Sequence, residues 1–155
     1  MTKRERLFMT KPSVSQLFTF LTAVDTLFEV PLSQKQELFS FAQKLNEKAT
    51  ICAKFEGDTI VAMVAGYTEN TDNRLGYISV VATLPTVQGK GYARYLVKEF
   101  LGISRAKGLD GVHLYTTNSN AAAMRLYHSV GFEPFLLPNE PRPQDTHLVC
   151  QFEKE

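Results

Sequence analysis

Apolar positions along this chain change their period twice, and each change separates one kind of secondary structure from another. Leu17, Phe18, Leu21 and Val24 recur every three or four residues, which predicts a helix capped within Pro12-Ser13-Val14-Ser15 and running to about Val24. Ser33 is the expected start of a second helix, with Leu38, Phe41, Ala42 and Leu45 on one face and Asp25 to Pro31 as the connection. From Ala49 the period falls to two. Thr50 to Phe55 then reads as a strand, Glu56-Gly57-Asp58 as a turn, and the apolar run Thr59 to Tyr67 as the returning arm of a hairpin. A polar turn from Thr68 to Asn73 leads into a third strand, Leu75 to Leu84. It is stopped by Pro85, which has no N–H for a ladder and biases its predecessor to extended geometry.

Helical spacing returns after Gly89-Lys90-Gly91. Ala93, Leu96, Val97, Phe100, Leu101 and Ser104 line one face of a helix that ends at Lys107-Gly108, a basic last turn followed by glycine. Val112 to Thr116 is a short strand. Ser119 and Asn120 can cap a helix from Ala121 to Val130, ended by Gly131. Phe132 to Leu137 and His147 to Phe152 are two further strands around the proline-rich loop Pro138 to Pro143. The resulting order is mixed α/β, without internal repeat or low-complexity segment. The strand, helix and strand from Leu75 to Thr116 require a parallel pair with a right-handed crossover, inside a sheet that is otherwise antiparallel.

With 155 residues, 44% apolar and 21% charged, there is material for one ordinary domain, expected to span residues 1–155. The 17 lysines and arginines balance 16 acidic residues, so no overall field recruits a polyanion, and nucleic acid is not an expected partner. Nor is a membrane. The longest uncharged apolar run, Thr59 to Tyr67, falls far short of the roughly 20 residues of a spanning helix, and the polar start Met1-Thr2-Lys3-Arg4-Glu5-Arg6 lacks a signal-peptide core. A cytoplasmic protein is the expectation. Cys52 and Cys150 sit inside apolar alternating segments and read as small core residues rather than a disulfide. With three scattered histidines, no metal-ligand spacing is present and no metal site is expected.

Candidate chemistry concentrates between Leu84 and Arg94, where a strand end, a glycine-bearing loop and a helix start follow one another. Glycines let backbone approach a ligand closely, and the N–H groups and positive dipole end of a helix N-terminus attract an anion, here assisted by Lys90 and Arg94. A phosphate is the natural guest. The loop has neither the Gly-Lys-Ser/Thr ending of a P-loop nor the three glycines of a dinucleotide-binding turn. Instead Gln88, Gly91 and Ala93 satisfy Gln/Arg-x-x-Gly-x-Gly/Ala directly after a strand. Farther along, Asn120 to Phe132 satisfies Asn-x-x-Ala-x-x-Leu-Tyr-x-x-x-Gly-Phe. With both motifs in order, the stretch from about Thr50 to Leu137 resembles the GNAT superfamily of N-acetyltransferases.

That resemblance implies a three-layer α/β/α fold around a mixed, mostly antiparallel sheet of six or seven strands, with one parallel pair splayed for coenzyme A. It also implies an acyltransferase that moves an acetyl group directly from bound acetyl-CoA, the cosubstrate, to an amine. By the match, Val81, Ala82 and Thr83 offer backbone groups to the pantetheine. Gln88, Gly89, Lys90, Gly91, Tyr92, Ala93 and Arg94 hold the pyrophosphate, Asn120 hydrogen-bonds the CoA arm, and Tyr127 protonates the leaving thiolate. A thiolate leaving group gains from a positioned phenol proton, and a developing oxyanion from a strand N–H. By spacing alone, Tyr127 is equally a core aromatic beside Ala123 and Val130, and Asn120 a plain N-cap.

The chain departs from the family pattern where a base is needed. An amine attacks only when neutral, and many relatives carry glutamate five positions before Asn120. Here Tyr115 stands there, and Tyr77-Ile78-Ser79-Val80-Val81 has no carboxylate. A water-relayed base, Asp25 and Glu29 are the alternatives. Phe18, Phe20, Phe28, Phe39 and Phe41 make the first third aromatic, mostly to pack helices on the sheet. The expected acceptor is an amine of a small molecule, amino sugars and amino acids among them, or of a peptide. The missing glutamate supports a second reading, a catalytically silent domain that binds acyl-CoA as a sensor. Monomer and homodimer both fit, the last strands offering an edge.

Overall fold

A computed structural model describes residues 11–69, 71, 73–135 and 145–153. Helix α1, Val14–Val24, opens on a capping box in which Ser13 Oγ accepts from the Gln16 N–H at 3.1 Å and the Ser13 N–H donates to Gln16 Oε1 at 2.9 Å. It buries Leu17, Phe20, Leu21 and Val24. Phe18, expected on that face, lies one residue and so about 100° round from Leu17. It is exposed and meets Phe39 edge-on at 5.5 Å.

Helix α2 is Leu38–Lys48, and it does not start at Ser33. The Asp25 carboxylate accepts from the Ser33 N–H at 2.8 Å and from its hydroxyl at 2.6 Å, which holds Ser33 inside a short 3-10 turn, Leu32–Gln34. The helix begins where Glu37 turns its own carboxylate onto the N–H groups of Phe39 and Ser40, at 3.1 and 2.6 Å. Those donors hold the Glu37 carboxyl below its usual range.

Strands β1 (Thr50–Glu56), β2 (Thr59–Tyr67) and β3 (Leu75–Thr83) form the expected antiparallel meander. Helix α3 (Tyr92–Ala106) carries the chain across to β4 (Gly111–Thr117), which pairs parallel with β3. Helix α4 (Ala121–Ser129), the two-residue β5 (Glu133–Pro134) and β6 (Asp145–Gln151) complete the described elements. The strand expected over Phe132 to Leu137 is thus shorter in its described part, and Leu137 and the loop Pro138 to Pro143 lie outside the described residues. Among those residues the sheet has six strands in the order β1-β2-β3-β4-β6-β5.

Strand β2 is apolar throughout because both its faces are covered. Met63 and Ala65 pack with Leu17, Phe20, Leu21, Phe41 and Leu45 of α1 and α2. Ala62 and Val64 pack with Leu96, Val97 and Phe100 of α3 on the opposite side, where Tyr127, Phe132 and Leu148 extend the cluster. The result is the expected α/β/α arrangement of layers. Cys52 and Cys150 are buried free thiols in the second cluster, and burial, with Glu99 nearby, pushes the Cys52 thiol up to about 12.

Two irregularities shape the middle of the sheet. Pairing of β3 with β4 stops after the rung Tyr77–His113, so the rest of both strands diverges. One residue beyond that rung, β3 bulges: Gly66 pairs with Ile78 but Ala65 pairs with Val80, which leaves Ser79 as the extra residue. The bulge reverses the alternation, for Ile78 packs under α3 whereas Val80 packs against α1 and α2. Gly66 is the residue that permits it, because a Cβ there would lie 2.0 Å from the Tyr77 carbonyl oxygen.

Candidate active site

The divergence of β3 from β4 opens a cleft of about 1130 Å³ between the two halves of the molecule. On one wall run Val81, Ala82 and Thr83, whose strand has lost its neighbour and presents its edge. The floor at one end is the turn into α3. Gly89 and Gly91 adopt φ of +83° and +80°, and Gly91 is the N-cap, offering no side chain of its own. The first helical hydrogen bond runs from Tyr95 N–H to Gly91 O at 3.1 Å, so the N–H groups of Tyr92, Ala93 and Arg94 precede any helical acceptor. Such a set of N–H groups without helical acceptors is an arrangement that suits an anion. Arg94 is fixed there by its Nε–H donating to Ser129 Oγ at 3.3 Å, and that hydroxyl donates onward to Leu126 O at 2.6 Å. Helix α3 is thereby tied to α4 beside the loop.

Gln88, Gly89, Gly91, Tyr92, Ala93 and Arg94 all line this cleft. Lys90 is exposed and outside the lining. Asn120 lines it from the start of α4, where Oδ1 accepts the Ala123 N–H at 3.0 Å. Its cap function and a ligand contact through the remaining amide nitrogen are compatible, since Nδ2 takes no part in the cap. Tyr127 is the core aromatic that its spacing predicts, its ring packing edge-on against Phe132 at 5.7 Å, and it also lines the cleft. Burial alone pushes its phenol well above the usual range, so it keeps its proton throughout the physiological range.

The opposite part of the lining comes from the segment between α1 and α2, including Phe28, Glu29, Leu32 and Lys35, together with Tyr77, Tyr115 and Asp145. Glu29 Oε2 accepts from Ser119 Oγ at 2.8 Å, linking that segment to the turn before α4. Of the two carboxylates considered as bases, Asp25 is held by Ser33 and lies outside the lining, while Glu29 lies within it. Sequence reasoning missed the approach of two of its three scattered histidines, His113 and His147, whose Nδ1 and Nε2 lie 2.9 Å apart. Only the β4–β6 register, which pairs Tyr115 with His147, brings them together.

With this geometry in place, the family assignment follows. Residues 17–132 match the model of the "Acetyltransferase (GNAT) family", and the chain belongs to that family, whose members use acetyl-CoA as cosubstrate. A mycothiol acetyltransferase from Thermobispora bispora is 42% identical over 64 residues, 41% of this chain and 22% of that protein, so the chain spans about a fifth of the curated relatives it matches. Among solved structures, the PaiA N-acetyltransferase of Thermoplasma acidophilum in complex with coenzyme A superposes with a TM-score of 0.72 at 13% identity, over 92% of this chain and 97% of that one. A NatC complex bound to Gag peptide and CoA gives 0.68 at 19% identity, over 89% and 92%. No described helix is long and apolar enough to cross a membrane.

Proposed function

We propose that this chain is an acetyl-CoA-dependent N-acetyltransferase of the cytosol that passes the acetyl group directly to the amine of a small molecule or peptide. The observation that carries the reading is one cleft. It holds the diverging edge of β3, the uncapped start of α3 and the buried Tyr127 along one continuous wall. Residues present suit each part of the cosubstrate. The helix start and Arg94 answer the pyrophosphate, and the open strand edge at Val81 to Thr83 answers the amides of the pantetheine. A strand N–H at the split is the donor for charge developing on the thioester oxygen. Tyr127 keeps its proton until the carbon–sulfur bond breaks, and its apolar surroundings make a bare thiolate equally costly, which favours transfer.

The lining away from the α3 turn includes the carboxylates of Glu29 and Asp145 and the rings of Tyr77 and Tyr115, group types that suit an ammonium. The mycothiol acetyltransferase likeness covers too little of either protein to pass on an acceptor. The test is thiol release from acetyl-CoA, with calorimetric binding in parallel, across amino sugars, polyamines, amino acids and short peptides. Release with one class establishes the transferase and names its acceptor. Binding without release from any of them favours the sensor, and no binding overturns the reading.

A further inference from the structure

The family's usual glutamate is replaced by Tyr115, yet a different proton acceptor stands beside it. His113 and Tyr77 form the last paired rung of β3 and β4, at the vertex from which the cleft opens. His113 does not itself line the cleft; it is half-buried beside two rings that do, Tyr77 with its centroid at 5.0 Å and Tyr115 at 6.4 Å. Its Nδ1 is 2.9 Å from His147 Nε2, and Tyr115 stacks on the His147 ring at 4.4 Å, nearly parallel at 13°. Phe135 closes on that ring edge-on at 5.4 Å.

We propose that His113, oriented by His147, takes the ammonium proton of the acceptor amine in the transfer reaction; this rests on the acetyltransferase reading. A neutral imidazole pair holds one proton in its shared hydrogen bond. With His113 Nδ1–H donating to His147, His113 Nε2 keeps a lone pair, and the imidazolium formed on protonation is stabilised by the same bond. The second ring thus does for the first what an orienting partner does for any general base, and His147 is a positioning residue. The proton leaves the ammonium for Nε2 across a water, because the ring sits behind the cleft lining, and then passes to solvent. The free amine attacks the thioester carbon, the C–S bond breaks, and sulfur takes the proton of Tyr127. One of the two protons left on the attacking nitrogen restores the phenol, and the other stays on the amide product.

His113 is biased toward the neutral form that a base needs. Burial first, and the neighbouring His147 second, hold His113 below its ordinary value of 6.5. The groups that face it are Tyr77 from β3, Tyr115 from β4 and His147 from β6. Strands β3 and β4 carry no charged side chain, Asp145 begins β6, and Glu133 of β5 is turned to His128 at 3.6 Å.

Imidazole nitrogen NMR of the full chain saturated with CoA, titrated from about pH 5 to 9, reads the pair without an acceptor. His113 and His147 should take up one proton between them. Two independent protonations would overturn the pairing. Thiol release with the amine selected by the acceptor panel should then show an acid limb in kcat/KM at that shared titration. His113→Asn should abolish the limb and lower kcat by about 100-fold with acetyl-CoA affinity kept. His147→Asn, a milder change should the first not fold, should move the limb and lower kcat about 10-fold. An active wild type whose acid limb survives in both variants overturns the role of the pair alone. A wild type that binds no acetyl-CoA, or releases thiol to no amine, overturns the transferase reading before any variant is made, and the pair's role with it.

Discussion

On the side of the cleft proposed for the donor the available groups are mostly backbone: a strand edge that β4 has left, N–H groups ahead of the first helical acceptor, and two glycines at positive φ. On the side proposed for the acceptor they are side chains from distant parts of the chain, Glu29, Tyr77 and Tyr115 in the lining with His113 and His147 behind them, held by contacts between strands and loops. The first arrangement depends on local geometry and tolerates many side chains outside the glycines. The second depends on register, and each member loses its purpose if a neighbour moves. A cosubstrate that is the same for every member of a family suits the first, and an acceptor that differs among members suits the second.

Substitutions that separate backbone from side chain test the contrast. The largest effect should come from Gly66→Ala, whose Cβ would meet backbone at 2.0 Å. A loss of about 3 kcal/mol or more of unfolding free energy is expected in urea titration, and a stability within 1 kcal/mol of wild type would show that the bulge relaxes freely. Tyr127→Phe keeps the packing against Phe132 and removes only the proton, so kcat should fall about 100-fold while acetyl-CoA affinity stays constant; full activity would remove its acid role. Gly91→Val has open space around it, so any effect must come from φ of +80°. That strain, about 1–2 kcal/mol, should weaken acetyl-CoA binding about 10-fold, and an unchanged Kd would sink the loop assignment. Asn120→Ala should cost about 1 kcal/mol of stability by uncapping α4, with a further drop in acetyl-CoA affinity if the amide also meets the ligand. The smallest effect is on pH dependence. The unfolded chain takes a proton near the ordinary imidazole value of 6.5 that native His113 resists. Stability is therefore present above that value and lost as pH falls below it. His113→Asn should flatten the decline of the urea midpoint from neutral pH to about pH 5.

How far the molecule was legible follows the same division. Helix α3, the meander and the parallel pair came through because their signals are local: helical spacing from Ala93 to Ser104, alternation in β1, a proline after β3. Eleven of the twelve residues expected to meet the cosubstrate or its thiolate line one cleft, Lys90 being the exception, because motif spacing records backbone needs. The start of α2 was misplaced for a physical reason: Ser33 is a good cap in isolation, but Asp25, eight residues earlier, captures it. The His113–His147 contact left no trace in the sequence, since the residues are separated by 34 positions and only strand pairing aligns them.

Ser79 is a spare residue in the ladder, and spare residues are what insertions and deletions act upon. Removing it would make Ile78 and Val80 consecutive residues on the opposite faces they already occupy, restoring a plain ladder and letting β3 run on beside β4. Such a deletion mutant is a candidate for a firmer protein with a narrower mouth: more resistant to heat or protease, and poorer at admitting a thioester. Length heterogeneity at this one position among natural or evolved variants would therefore sort sequences by trade, the shorter ones toward durability and the longer ones toward turnover.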